Sequence, residues 1–94
     1  MTKNDIHNKI RAYLLKEGAK RIAIFGSYAR GDASPDSDID ILVEFKERKS
    51  LLELVRIERL ISEELGITVD LLTEKSISPY LVDRIKQEME IIYQ

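Results

Sequence analysis

The chain has no cysteine. That excludes a disulfide framework and any thiolate metal site. No apolar run approaches the roughly 20 residues that a bilayer-spanning helix needs. The opening, Thr2-Lys3-Asn4-Asp5, lacks an apolar signal region. A soluble, cytoplasmic protein is the expectation. Basic residues do not outnumber acidic ones: there are 15 against 17, for a net charge of −2. The sequence therefore lacks the electrostatic footprint of a protein that grips long nucleic acid. Asn and Gln are scarce (Asn4, Asn8, Gln87, Gln94) while Lys, Arg and Glu abound, a balance that leans toward a thermophile. What remains is 94 residues, 44% apolar and 34% charged. This describes one well-solvated domain, residues 1–94, with a thin core and no repeat or linker.

The elements follow from periodicity and punctuation. Thr2 or Asn4 caps a first helix in which Ile6, Ile10, Tyr13 and Leu14 recur at helical spacing, and Gly18 stops it. Residues 21–25 form a short β-rich run ending at Gly26. Residues 27–31 suit one helical turn with Ser27 as its cap, and residues 32–37 are turn chemistry. Residues 38–46 alternate cleanly. Ile39, Ile41, Val43 and Phe45 fall on one face, and Asp38, Asp40, Leu42, Glu44 and Lys46 on the other. Ser50 and Glu53 form a capping box. Leu51, Leu54, Val55, Ile61 and Leu65 give the next helix its expected core stripe, and Gly66 ends it. Residues 67–72 read as a third strand. Ser78-Pro79 opens a last helix with Leu81, Val82, Ile85 and Met89 inward, and residues 90–93 read as an edge strand. The expected fold is α/β (α+β): a small mixed sheet with helices packed mainly on one face. Strands two and three are parallel through a helical crossover, and strands one and two antiparallel.

Two features carry chemistry. Asp38 and Asp40 lie two apart on a strand, so both point to one face, roughly 6–7 Å apart at the backbone. Their mutual repulsion is relieved by a cation, and an all-oxygen pair suits Mg²⁺ or Mn²⁺ completed by substrate phosphates. The plainer alternative is that they begin a strand at a solvated turn. Asp70 sits between Val69 and Leu71, where a strand disfavours a carboxylate. If its strand lies beside the second one with apolar faces aligned, all three carboxylates share a face, as in a two-metal phosphoryl-transfer site. The alternative for Asp70 is a surface-facing edge residue. Gly26 lets backbone approach a ligand, and Ser27 with the amides after it sits at a strand-to-helix turn suited to an anion. Arg30 has the bidentate reach for a phosphate. His7 has no partner at ligand spacing and reads as structural. Arg48, Lys49, Arg56 and Arg59 read as a solvated helix face or as a patch for a partner.

Gly26-Ser27, then ten residues, then Asp38-Ile39-Asp40 resembles the Gly-Ser-x10-Asp-x-Asp signature of the DNA polymerase β-like nucleotidyltransferases. The chain looks like their minimal nucleotidyltransferase (MNT) domain over essentially its whole length. Those proteins are antitoxin partners of HEPN-domain toxins, and the family also resembles kanamycin nucleotidyltransferase. The resemblance implies a polymerase β-like fold and specific residue roles. Gly26 and Ser27 would hold the β- and γ-phosphates of a nucleoside triphosphate. Asp38 and Asp40 would bind two Mg²⁺ ions, and Asp70 would ligate the metal nearer the acceptor and help deprotonate its hydroxyl. Arg30 matches the family's Gly-Ser-x-Ala-Arg-Gly turn, with a phosphate or structural role. The implied reaction is transfer of AMP from ATP to a tyrosine of a HEPN toxin, which blocks its RNase activity.

Larger members of that superfamily carry a further acceptor domain. The expectation here is that a shallow surface, a second copy of the chain or another protein recognises the acceptor. Two other functions stay open: a non-catalytic antitoxin acting by binding alone, and transfer to a small molecule such as an antibiotic. Oligomeric state and the preferred nucleotide are open too, since no residue visibly reads a base.

Overall fold

The computed structural model describes all residues 1–94. The elements run α1 (Lys3–Lys16), β1 (Ala19–Phe25), α2 (Ser27–Arg30), β2 (Ile39–Phe45), α3 (Leu51–Leu65), β3 (Val69–Leu72), a 3₁₀ turn (Glu74–Ser76), α4 (Pro79–Glu88) and β4 (Glu90–Tyr93). Both long helices begin at capping boxes, Thr2 with Asp5 and Ser50 with Glu53, which satisfy amides that a helix start leaves open. β1 begins two residues earlier than its β-rich run predicts, at Ala19, which pairs with Phe45. β3 is shorter than expected and begins at Val69.

The sheet order is β3-β2-β1-β4. β1 is antiparallel to both β2 and β4, and β2 is parallel to β3 across the α3 crossover. The expected mixed sheet is therefore present. One face carries Ile22, Ile24, Ile39, Ile41, Val43, Val69 and Leu71, packed against Ile10 and Leu14 of α1 and Ile57, Ile61 and Leu65 of α3. The other face carries a smaller cluster, Ala23, Phe25 and Leu42, against which Ile77, Ile85 and Met89 pack. α4 thus lies on the face opposite α1 and α3.

The core stripe of α3 needs correcting. Leu51 and Val55 are exposed, whereas Ile57, absent from the expected stripe, is fully buried. The first turn of α3 is exposed, so the buried stripe starts later, at Ile57, with Leu54 partly buried beside it. Likewise α4 has no buried residue, and Leu81 is exposed. Ile85 and Met89 do face the sheet, but only in part, because the apolar surface beneath them is small.

β3 is a sheet edge, and α3 closes it. The Ser62 hydroxyl accepts from the Val69 amide at 3.0 Å and the Glu58 carboxylate from the Leu71 amide at 2.8 Å. Side chains of the crossover helix thus satisfy outward amides that would otherwise invite another strand. No helix is long and apolar enough to cross a membrane.

Candidate functional site

The register settles which residues meet. Parallel pairing places Asp40 directly opposite Asp70, and antiparallel pairing places Phe25, the residue before Gly26, opposite Asp40. Asp38 directly precedes β2. The end of β1 and the starts of β2 and β3 therefore converge at one end of the sheet, on the face opposite the main core. Asp40 is half-buried there, while Asp38 and Asp70 are exposed. Asp70 thus meets both of its sequence readings: it is a surface residue of an edge strand, and it shares the face of Asp40.

Burial, then the nearby Asp70 carboxylate and its hydrogen bond, then Asp38, push the Asp40 carboxyl up to about 6, against a smaller opposing pull from Arg30. Removing a carboxylate from water and facing it with like charge both disfavour ionisation.

Gly26 is tied to this carboxylate. Its backbone lies at φ 73°, ψ −151°, a region essentially reserved for glycine. A Cβ built on it would stand 2.2 Å from Oδ2 of Asp40. The loop and the carboxylate occupy one another's space, which only a residue without Cβ permits. Gly26 is also the N-cap of α2, so Ser27 is not the cap expected from the sequence. The Gly26 carbonyl accepts from the Ala29 and Arg30 amides, and Ser27, the first helical residue, is half-buried.

Arg30 projects between two carboxylates. Its Nε lies 3.3 Å from Oδ2 of Asp32, and its Nη1 3.4 Å from Oε1 of Glu88 at the end of α4. Glu88 is a contact that no sequence signal reveals, since 58 residues separate it from Arg30. His7 places its Nε2 3.7 Å from Oε1 of Glu90, and burial lowers its pKa.

The three aspartates do not close round one point as a ready-made cage of three ligands. The donor chemistry nevertheless fits a hard divalent cation. Asp40 and Asp70 are paired carboxylates that form no ion pair, and a cation would offset the burial and repulsion that raise Asp40. An Mg²⁺ shell commonly takes only one or two carboxylates and fills the rest with water and substrate phosphate.

The nucleotidyltransferase domain family matches residues 7–92. A protein of Methanocaldococcus jannaschii, provisionally named a protein adenylyltransferase, is 57% identical over 88 residues, covering 94% of this chain and 95% of that one. The chain belongs to the nucleotidyltransferase family. It is a nucleotidyltransferase enzyme. Among solved structures, a toxin–antitoxin complex with AMP-PNP matches with a TM-score of 0.85 at 26% identity, over 93% of this chain and 72% of that chain. The same fold, at TM-score 0.81 and 22% identity, occurs in a Shewanella oneidensis complex of a tri-AMPylated HEPN toxin with its MNT antitoxin, over 98% of this chain and 72% of that one. The four-stranded mixed sheet with its helices also matches a provisionally named minimal nucleotidyltransferase structure, with a TM-score of 0.80 at 34% identity over 96% of this chain and 95% of that one.

Proposed function

We propose that residues 1–94 form one minimal nucleotidyltransferase domain that moves AMP from ATP to a tyrosine hydroxyl of a HEPN-domain toxin, and so acts as its antitoxin. The observation that carries this reading is the register that sets Asp40 opposite Asp70, with Gly26 packed on the Asp40 carboxylate. The relatives support the choice of nucleotide and acceptor: one is named for protein adenylylation, and the two structural neighbours are toxin–antitoxin complexes, one with AMP-PNP and one with an AMPylated HEPN toxin.

In this reading the Gly26–Arg30 turn receives the β- and γ-phosphates. Gly26 supplies close backbone approach, Ser27 a hydroxyl and amide, and Arg30 a guanidinium held in place by Asp32 and Glu88. Asp38, Asp40 and Asp70 would hold two Mg²⁺ ions, which when bound neutralise charge on the attacking and leaving oxygens. Asp70, exposed at the sheet edge, faces the incoming hydroxyl and accepts its proton. The tyrosine oxygen bonds to the α-phosphorus, the bond from that phosphorus to the β-phosphate bridge breaks, and pyrophosphate leaves. Holding both reactants in line is the main contribution of the fold.

The test is incubation with ATP, Mg²⁺ and a purified candidate HEPN partner, followed by intact-mass spectrometry. The partner gains the mass of AMP, and the gain disappears in Asp38→Asn and Asp40→Asn. An unmodified partner that is still neutralised by both variants would instead establish inhibition by binding alone.

A further inference from the structure

A cleft of about 490 Å³ lies beyond the carboxylates and has no part in the chemistry described so far. It falls within the range of small-ligand and peptide sites. Its floor includes Ala23, Leu42 and Met89. Leu42 follows Asp40 by two residues on the same face of β2, with Ala23 opposite in register. The cleft therefore starts next to the carboxylates and runs along β2 toward Glu44, roughly 13 Å away at the rise of a strand. This direction leads away from the Gly26–Arg30 turn.

Its rim is cationic although the chain as a whole carries a net charge of −2. Arg21, Arg48 and Lys75 line it and form no ion pair. Of the lining acids, Glu44 pairs with Lys20 and Glu74 with Lys86, leaving Glu47 alone. Three unpaired cations on an apolar floor call for a ligand that is both anionic and apolar. The nucleoside half of a nucleotide is uncharged, so it does not account for them. In the proposed reading the triphosphate lies at the opposite end, on the Gly26–Arg30 turn.

We propose that this cleft docks an acidic, apolar-anchored polypeptide segment adjoining the acceptor hydroxyl, so that Arg21, Arg48 and Lys75 select the protein that is modified. The proposal rests on the adenylyl-transfer reading for its choice of a protein ligand. Its test is independent of turnover. A fluorescein-labelled random copolymer of glutamate and tyrosine is titrated with the protein and followed by anisotropy, with a lysine–tyrosine copolymer as the opposite-charge probe.

The protein binds the acidic copolymer and not the basic one, and added salt weakens binding. The variant R21E/R48E/K75E loses affinity by about tenfold or more, while its AMP-PNP affinity is unchanged. The variant K9E/K16E/R59E alters net charge equally at exposed positions outside the cleft and loses far less. Equal loss in the two variants, no preference for the acidic copolymer, or displacement of that copolymer by adenosine would overturn the proposal. If the acidic copolymer binds as described but no protein accepts AMP, the transfer reading fails and the cleft stands. If AMP transfer is seen but the copolymer does not bind, the cleft proposal alone fails.

Discussion

Gly26→Ala puts the junction of loop and carboxylate under direct test. The added methyl has two costs. The backbone at φ 73°, ψ −151° strains any residue with a Cβ by about 1–3 kcal/mol. The methyl would also stand 2.2 Å from Oδ2 and 3.2 Å from Cγ of Asp40, so the carboxylate must leave its rotamer, at about 0.5–1.5 kcal/mol. Alanine returns some of this by restricting the unfolded chain, about 0.4–1 kcal/mol. The net expectation is a loss of about 2–3 kcal/mol, which in a domain of this size lowers Tm by about 10–20 °C. Urea denaturation of Gly26→Ala, Asp40→Ala and the double variant separates the two costs. Removing the carboxylate abolishes the clash but not the strain, so the cycle should show a coupling of about 0.5–1.5 kcal/mol. A loss below about 0.5 kcal/mol, with no coupling, would mean that Asp40 does not rest on Gly26.

Asp40 also makes stability depend on pH. Its folded pKa is raised to about 6, so the stability it contributes is fully present below about pH 4 and is lost as pH rises through 6. In the metal-free protein, Asp40→Asn should therefore stabilise at pH 8 by about 1–2 kcal/mol after allowance for partial exposure. The gain should vanish near pH 4, as denaturation at the two pH values will read. Glu58→Ala removes the acceptor for the Leu71 amide. It should cost about 1.5 kcal/mol and speed hydrogen exchange at that amide. Ile57→Ala, at a fully buried site, should cost about 2–5 kcal/mol. Val55→Ala, at an exposed one, should cost less than about 0.5 kcal/mol, with thermal melts deciding both.

The second strand and its crossover were readable because alternation and connection both leave one solution. With β2 and β3 parallel and their apolar faces aligned, Asp40 and Asp70 had to share the other face. Gly26 was legible as a glycine the backbone needs, but its contact with Asp40 was not, because it depends on how β1 and β2 pair. The Arg30–Glu88 contact joins α2 to the end of α4 across the sheet end, and no periodicity encodes it. The core stripe of α3 was misplaced for a similar reason. Leu51 and Val55 have the right spacing, but both are left exposed while Ile57 is fully buried. Spacing gives the face of a helix, and only packing says how much of it is covered.

The central claim is attack at the α-phosphorus of ATP by a protein hydroxyl. The most direct measurement uses ATP radiolabelled at either the α or the γ position, with Mg²⁺ and the candidate HEPN partner. The α label becomes fixed to the partner while the γ label leaves as pyrophosphate. Label from the γ position on the partner, or none from either position, would contradict it.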